Sequence, residues 1–157
     1  MSQLYRQKWT MAALAVALAL GIGWALRERS FAAEKARLLE PKTVTLGDIK
    51  LKEFAYEGTP RGEIGVYFEG QTAGTRNFVV GQFRLKPGQE PHPIHKHPEE
   101  EILIVTSGKG EICCDGKITK IGPGSVMYTS PNAPHGIKNL GDEVLTFYFV
   151  KWIGVGR

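Results

Sequence analysis

The stretch Pro91-His-Pro-Ile-His95-Lys-His97-Pro-Glu-Glu-Glu101-Ile-Leu-Ile-Val-Thr-Ser-Gly108 gathers metal-binding side chains in the middle of the chain. It holds three of the chain's 4 histidines and three consecutive glutamates. Imidazole and carboxylate groups are ligands that divalent transition ions take in proteins. An apolar segment and a glycine follow at once, a pattern typical of a strand that ends in a turn. The stretch alone predicts either a metal site beside a strand or a solvated loop.

Spacing favours the metal site. Side chains two positions apart on a strand project to the same face, so we expect His95 and His97 to reach one ion. The residues before Glu101 predict a chain reversal, after which its carboxylate heads the next strand and can face the same cavity. His135, in another proline-rich segment, would complete the set from a distant strand. Three nitrogens and one oxygen leave open positions at a five- or six-coordinate ion, which is the condition for catalysis rather than structural support.

The hydrophobic pattern from residue 44 onward repeats every two residues. Turn residues separate about nine short segments, and no helical pattern lies between them, which predicts an antiparallel all-β sandwich or closed barrel. Asp115-Gly116 predicts a two-residue hairpin, because both positions of that turn favour positive φ. The predicted strands lie near residues 44–51, 63–69, 77–85, 101–106, 111–114, 117–121, 125–129, 135–138 and 143–152.

Residues 1–32 predict an export signal or a membrane anchor. Basic residues precede an uncharged segment of eighteen residues, from Trp9 to Leu26. Signal peptides carry apolar regions of about 7–15 residues and membrane spans take about 17–25, so both readings stay open. Basic residues are more numerous after the segment than before it, which favours a cytoplasmic domain. Large domains often translocate despite such charges, so we expect an exported protein, periplasmic or anchored in the membrane and facing the outside.

The rest of the chain ahead of the β domain is short, and the charge is unevenly placed. Residues 33–43 predict a helical spacer that ends near Pro41. Of 20 basic and 16 acidic residues in the chain, four and one respectively lie in residues 1–32, so the remainder is nearly neutral. No basic stripe with interleaved aromatic residues occurs, and nucleic-acid binding is not expected.

Cys113 and Cys114 are neighbours on one predicted strand and point to opposite faces, which disfavours a disulfide between them.

The histidine-rich stretch resembles the first sequence motif of the cupins. His95-Lys96-His97, three further residues, Glu101, six further residues and Gly108 match this motif. The leading glycine of the motif is displaced: Gly88 lies one residue further from His95 than in the cupin pattern. A loop tolerates such a shift. The resemblance is specific because the two histidines, the glutamate and the final glycine all keep the spacing of the motif.

A second segment resembles the second cupin motif. Gly124, His135 and Asn139 stand at the expected separations, and fifteen residues lie between the two motifs. Ser130 replaces the proline of the motif, and Asn132 replaces its glycine. Asparagine tolerates the left-handed conformation better than most residues, so we expect the turn to be kept.

The resemblance implies a small single-domain, type-2-like cupin in residues 44–157. Its fold would be an all-β double-stranded β-helix, a jelly-roll barrel, preceded by the N-terminal apolar helix. By the same resemblance, the metal ligands would be His95, His97, Glu101 and His135, around a divalent Fe, Mn, Ni or Zn ion. Cupins commonly pair about a two-fold axis, so a homodimer is also implied.

Cupins of this size include dioxygenases, isomerases and lyases. The resemblance thus implies a metal-dependent enzyme acting on a small oxygen-bearing substrate, with a dioxygenase-like oxidoreductase among the options. The alternative is a non-catalytic module that binds a small ligand or a metal. No catalytic residue stands out: a general base would come from Tyr128, Glu100 or a metal-bound hydroxide. His92 falls outside the motif spacing, and we expect it near the cavity mouth rather than among the ligands.

Overall fold

A computed structural model describes residues 38–156 of the chain. Within this range the chain forms nine β-strands and one short 3-10 helix, Leu46–Asp48, which confirms the all-β prediction. No helix in residues 38–156 has the length and apolar character needed to span a membrane. The strands are β1 (Lys52–Tyr56), β2 (Thr59–Gly70), β3 (Thr75–Leu85), β4 (Glu100–Ser107), β5 (Gly110–Cys114), β6 (Lys117–Ile121), β7 (Val126–Thr129), β8 (His135–Asn139) and β9 (Leu145–Gly154).

The strands form two antiparallel sheets. The larger has the order β1-β2-β3-β9-β4-β7 and the smaller has the order β6-β5-β8. Buried and more exposed side chains alternate along strands such as β4 and β7, as the strand period of two predicts. The core is formed by apolar residues of both sheets, namely Phe83, Leu85, Leu103, Val105, Ile112, Met127, Ile137, Leu145, Phe147 and Phe149. This is the two-sheet arrangement expected of a jelly-roll barrel.

The prediction for the start of the β domain was wrong in detail. Residues 44–51 were expected to form a strand, but the first strand begins at Lys52 and the 3-10 helix precedes it. The backbone N–H and the hydroxyl of Thr45 both donate to Asp48 Oδ2, at 2.7 Å each. Such local side-chain bonds compete with strand pairing, and here they close a turn.

The predicted N-terminal leader, residues 1–32, lies outside the described residues, as do residues 33–37 of the predicted spacer. Residues 38–43 of that spacer are described and they are not helical, so the prediction of a helix is wrong for this part. The N–H of Leu39 donates to the carbonyl of Gln71 at 2.8 Å, so this part of the chain is held in an extended conformation against the end of β2.

Two turn predictions are confirmed. Asp115 and Gly116 have φ angles of 48° and 79° and join β5 to β6 as a two-residue hairpin. Asn132 has a φ of 61°, so it takes the left-handed conformation expected of the motif position that it occupies. The N–H of Asn132 donates to the carbonyl of His97 at 2.8 Å, which ties this turn to the histidine-rich loop.

Asn139 closes the turn after β8. It is fully buried, and its Nδ2 donates to the carbonyls of Leu85 and Glu143 at 3.0 and 2.7 Å. Its Oδ1 accepts the N–H of Gly141 at 2.9 Å. The second-motif asparagine therefore fixes the end of β8, the strand that begins at His135, and it has no place in the cavity lining.

Candidate metal centre

His95 and His97 lie in the connection between β3 and β4, not within a strand as predicted. Proline has no N–H to donate, so the prolines at 91, 93 and 98 prevent a continuous ladder here. One isolated bridge remains: the N–H of His95 donates to the carbonyl of His135 at 3.1 Å, and the N–H of His135 donates back at 3.0 Å. The prediction that His95 and His97 lie on one strand was wrong, but their imidazole rings do lie close together, with centroids 5.2 Å apart.

Glu101 and His135 reach the same place from different sheets. Glu101 is on the inward face of β4, and only 8% of it is exposed. His135 begins β8, and 2% of it is exposed. Both side chains therefore stand at the edge of the core, next to the histidine loop.

The four side chains predicted from the cupin motifs come together. The ring nitrogens of His95, His97 and His135 that face one another lie within 4.8 Å, a group that could hold a metal ion. Oε2 of Glu101 lies 3.2 Å from Nε2 of His97 and 2.9 Å from Nε2 of His135. The three imidazoles thus form one group, and the Glu101 carboxylate adjoins two of them.

Backbone carbonyls orient two of the imidazoles. Nδ1 of His97 lies 3.1 Å from the carbonyl of Glu99, and Nδ1 of His135 lies 2.9 Å from the carbonyl of Ala133. A carbonyl oxygen can only accept, so both Nδ1 atoms carry the proton and both Nε2 atoms present a lone pair in the neutral rings. This second hydrogen bond is the usual companion of a metal-binding histidine.

The polar atoms at the centre fit an ion. Nδ1 of His95 and Nε2 of His135 are buried, and neither makes a hydrogen bond to another described residue. Nε2 of His135 lies 2.9 Å from the Glu101 carboxylate. Buried polar atoms are normally satisfied, so these atoms are available to a bound ligand.

Burial and charge shift the protonation of this group. Burial, with neighbouring His92, His135 and His97, lowers the pKa of His95 to about 4, so its ring is neutral near pH 7. Burial acts to raise the pKa of Glu101, but His135, Lys151 and His97 together hold it below its usual range. Conversely, burial acts to lower the pKa of His135, and the adjoining Glu101 carboxylate raises it overall.

A cavity of about 250 Å³ adjoins this group. Its wall is largely aromatic and aliphatic, and the ring planes of Phe83 and Phe147 stack with centroids 5.6 Å apart. His92 lines the cavity with its ring centroid 3.9 Å from that of His95, as expected of a residue near the mouth. The other apolar lining residues are Phe54, Ile64, Leu103, Ile137 and Phe149.

Two residues considered as bases lie elsewhere. Tyr128 is 54% exposed, and its hydroxyl donates to Glu100 at 2.8 Å. Glu100 precedes the inward-facing Glu101, so its side chain points to the outer face of β4. Neither residue lines the cavity, and neither can serve as its general base.

Sequence reasoning missed Lys151. This residue lines the cavity and stands directly opposite Glu101 in the pairing of β4 with β9. Buried residues alternate along β9 at Leu145, Phe147 and Phe149, and Lys151 is the next position in this series of two, although it is only half-buried. A lysine in line with core residues faces inward by the same period of two.

Comparison with known proteins agrees with this architecture. Residues 81–151 match the cupin domain family Cupin_2. An uncharacterized protein of Methanocaldococcus jannaschii is 34% identical over 53 residues, which cover 33% of this chain and 42% of that protein. The match thus spans less than half of the length of this curated relative.

Solved structures share the fold. An RmlC-like cupin from Shewanella frigidimarina aligns with a TM-score of 0.58 at 13% identity, over 72% of this chain and 91% of that one. A cupin-2 domain from Rhodospirillum rubrum gives 0.58 at 16% identity, over 77% and 80%. A predicted oxalate decarboxylase from Thermotoga maritima gives 0.56 at 26% identity, over 71% and 99%. The described part of the chain therefore has the cupin fold, and the segment that matches the cupin domain model contains three histidines that could bind a metal.

Proposed function

We propose that this protein is a metal-dependent enzyme that acts on a small oxygen-bearing substrate. Its ion, a divalent Fe, Mn, Ni or Zn, would be held by His95, His97, Glu101 and His135. The observation that carries this proposal is the convergence of these four groups at the wall of a largely apolar cavity. A site with protein ligands on one side and a cavity on the other leaves positions for a substrate.

The residues of the chain set the conditions for chemistry at this place. The apolar wall limits water, which strengthens electrostatic interactions inside the cavity. Glu101 balances part of the charge of an ion, and the carbonyl bonds of His97 and His135 keep their rings oriented. When bound, the ion supplies Lewis-acid polarisation of a substrate oxygen or, if it is iron, reactivity toward dioxygen.

The second candidate is a non-catalytic module that binds a small ligand or the metal. One observation favours it: apart from the four proposed ligands, the described residues that line the cavity offer only His92 and Lys151 as ionisable groups. A reaction that needs a protein acid or base thus has few residues to draw on.

Metal content and turnover test both candidates. We expect the purified protein to hold about one ion per chain, the His97→Ala variant to lose it, and the His92→Ala variant to keep it. Oxygen consumption in a screen of small acids and alcohols would indicate the enzyme, and binding without turnover would indicate the module. Less than stoichiometric metal, with a melting temperature that added metal leaves unchanged, would contradict both.

We also propose that residues 1–32 direct export, with the cupin domain outside the cytoplasm. The support is the basic start and the uncharged segment from Trp9 to Leu26. Fractionation of cells that express the full chain, with N-terminal sequencing, tests it. A cupin domain found with its intact N-terminus in the cytosolic fraction would overturn it.

A further inference from the structure

Lys151 places a positive charge inside the cavity. It follows Phe147 and Phe149 on the inward face of β9, it is half-buried, and it lines the same cavity as the histidines. Its charge contributes to the lowered pKa of Glu101, which places the two side chains within electrostatic reach. A half-buried ammonium beside a largely apolar cavity can donate charge-assisted hydrogen bonds to an anion that enters it.

Within residues 38–156, nothing pairs with this ammonium. The salt bridges there involve Arg84, His97 and His135, and none involves Lys151. Glu101 is the one acidic residue among the described residues that line the cavity, and its Oε2 is directed at His97 and His135. The carboxylate of the cavity wall is thus already in contact with the histidines.

The charge balance becomes more uneven once an ion is bound. A divalent ion and Lys151 together carry more positive charge than the Glu101 carboxylate can balance, since the three histidines bind as neutral rings. Positive charge in a mostly apolar cavity is costly unless an anion accompanies it. A ligand with a negative group would supply the missing charge.

The rest of the cavity wall is apolar and aromatic, and it indicates what the uncharged part of that ligand would be. Phe54 and Phe83 meet edge to face with centroids 5.1 Å apart, and Phe83 stacks on Phe147. Such aromatic surfaces bind apolar and aromatic groups. The volume of about 250 Å³ admits a small molecule but not a chain of several units.

We propose that Lys151 is the specificity-determining residue that selects a small organic carboxylate with an apolar or aromatic body. The carboxylate is recognised by the ammonium of Lys151 beside the metal centre, and the body lies against the phenylalanine wall. This inference rests on the proposed function for the presence of the ion, but the recognising group belongs to the chain itself.

Calorimetric titration of the zinc-loaded protein with three probes tests the inference. Benzoate carries both features, benzamide keeps the body without the charge, and acetate keeps the charge without the body. We expect benzoate to bind most tightly. A charge-assisted hydrogen bond is stronger than a neutral one, so Lys151→Met should weaken benzoate about tenfold or more and leave benzamide unchanged.

Two control variants and the zinc content separate the explanations. Lys151→Arg should retain most of the benzoate affinity, and Lys138→Met, which removes the same charge from the exposed face of β8, should retain all of it. Benzamide or acetate binding as tightly as benzoate, no benzoate binding at all, or equal binding by Lys151→Met would overturn the inference.

Zinc stoichiometry reports on the proposed function independently. If the protein takes up none of zinc, iron, manganese and nickel, the proposed function fails, and benzoate titration of the metal-free protein and its Lys151→Met variant still decides the role of the lysine. If Lys151→Met lowers zinc affinity but leaves benzoate affinity unchanged, Lys151 acts on Glu101 alone and the inference is wrong.

Discussion

At the scale of single residues, hydrogen bonds to the backbone orient two of the proposed metal ligands. The carbonyls of Glu99 and Ala133 hold the rings of His97 and His135 so that their Nε2 atoms face Glu101. An ion that enters such a site needs little rearrangement of its ligands, which favours tight binding. We expect the Glu101 carboxylate to contribute most of the electrostatic attraction for a cation, because it is the one negatively charged group in the proposed ligand set.

Replacement of Glu101 by Gln tests how much its negative charge contributes to metal affinity. The amide keeps the size and one oxygen of the side chain but removes the charge, so we expect zinc affinity to fall by about 100-fold or more. Competition with a chromophoric chelator measures it. The matched control is Glu100→Gln on the outer face of β4, which should leave zinc affinity unchanged. Equal affinities for the two variants would exclude Glu101 from the ligands.

Metal affinity should also depend on pH, and the protonation of His135 determines whether affinity rises or falls with pH. The Glu101 carboxylate raises the pKa of His135 above the usual 6.5 in the metal-free protein, although burial opposes it. A proton on Nε2 blocks the ion, so affinity should weaken as pH falls through that raised pKa. His95, with a pKa of about 4, contributes only in more acidic solution. Zinc titrations from about pH 8 to pH 5 measure this, and a flat profile would contradict it.

At the scale of elements, the site depends on the ends of β4 and β8. The turn after β8 is locked by Asn139, whose three hydrogen bonds reach Leu85 at the end of β3 and the residues that lead into β9. His135 stands at the other end of this five-residue strand. An interaction outside the cavity therefore sets the position of one of the proposed ligands.

Asn139→Ala should accordingly destabilise the protein. It removes three hydrogen bonds and leaves their backbone partners unsatisfied in the interior, so we expect a loss of about 2–4 kcal/mol in the free energy of unfolding. Urea denaturation measures this loss. Lys138→Ala, at the exposed neighbour on the same strand, should change stability by less than about 0.5 kcal/mol. A similar small change for both variants would show that the buried bonds contribute little.

How far the sequence predicts these elements depends on what holds each of them. Strands with one buried face, such as β4 and β9, show the period of two and could be predicted. The first strand could not, because the bonds between Thr45 and Asp48 impose a turn on apolar residues that look like a strand. The proposed ligands were found through motif spacing, whereas the importance of Lys151 required the pairing of β9 with β4, which local sequence does not specify.

At the scale of the whole molecule, the four proposed metal ligands come from both sheets and from the loop between β3 and β4. Glu101 belongs to the larger sheet, His135 to the smaller one, and His95 and His97 to the loop that bridges β3 and β4. An ion held by all of them would link the sheets at one end of the barrel. The hairpin of β1 and β2, at the far edge of the larger sheet, supplies none of these groups.

Removal of the ion should therefore loosen the protein locally rather than uniformly. Binding to the folded state adds stability that grows with ligand concentration, about 4 kcal/mol at a thousand times Kd, and the gain is concentrated where the ligands are held. We expect chelation to increase amide hydrogen exchange in residues 91–101 and at the start of β8, while exchange in β1 stays the same. Hydrogen-exchange mass spectrometry with and without EDTA measures this. His97→Ala should exchange like the chelated protein under both conditions, because it holds no ion to remove. A uniform increase along residues 38–156, or none at all, would show that the ion does not link the sheets at this site.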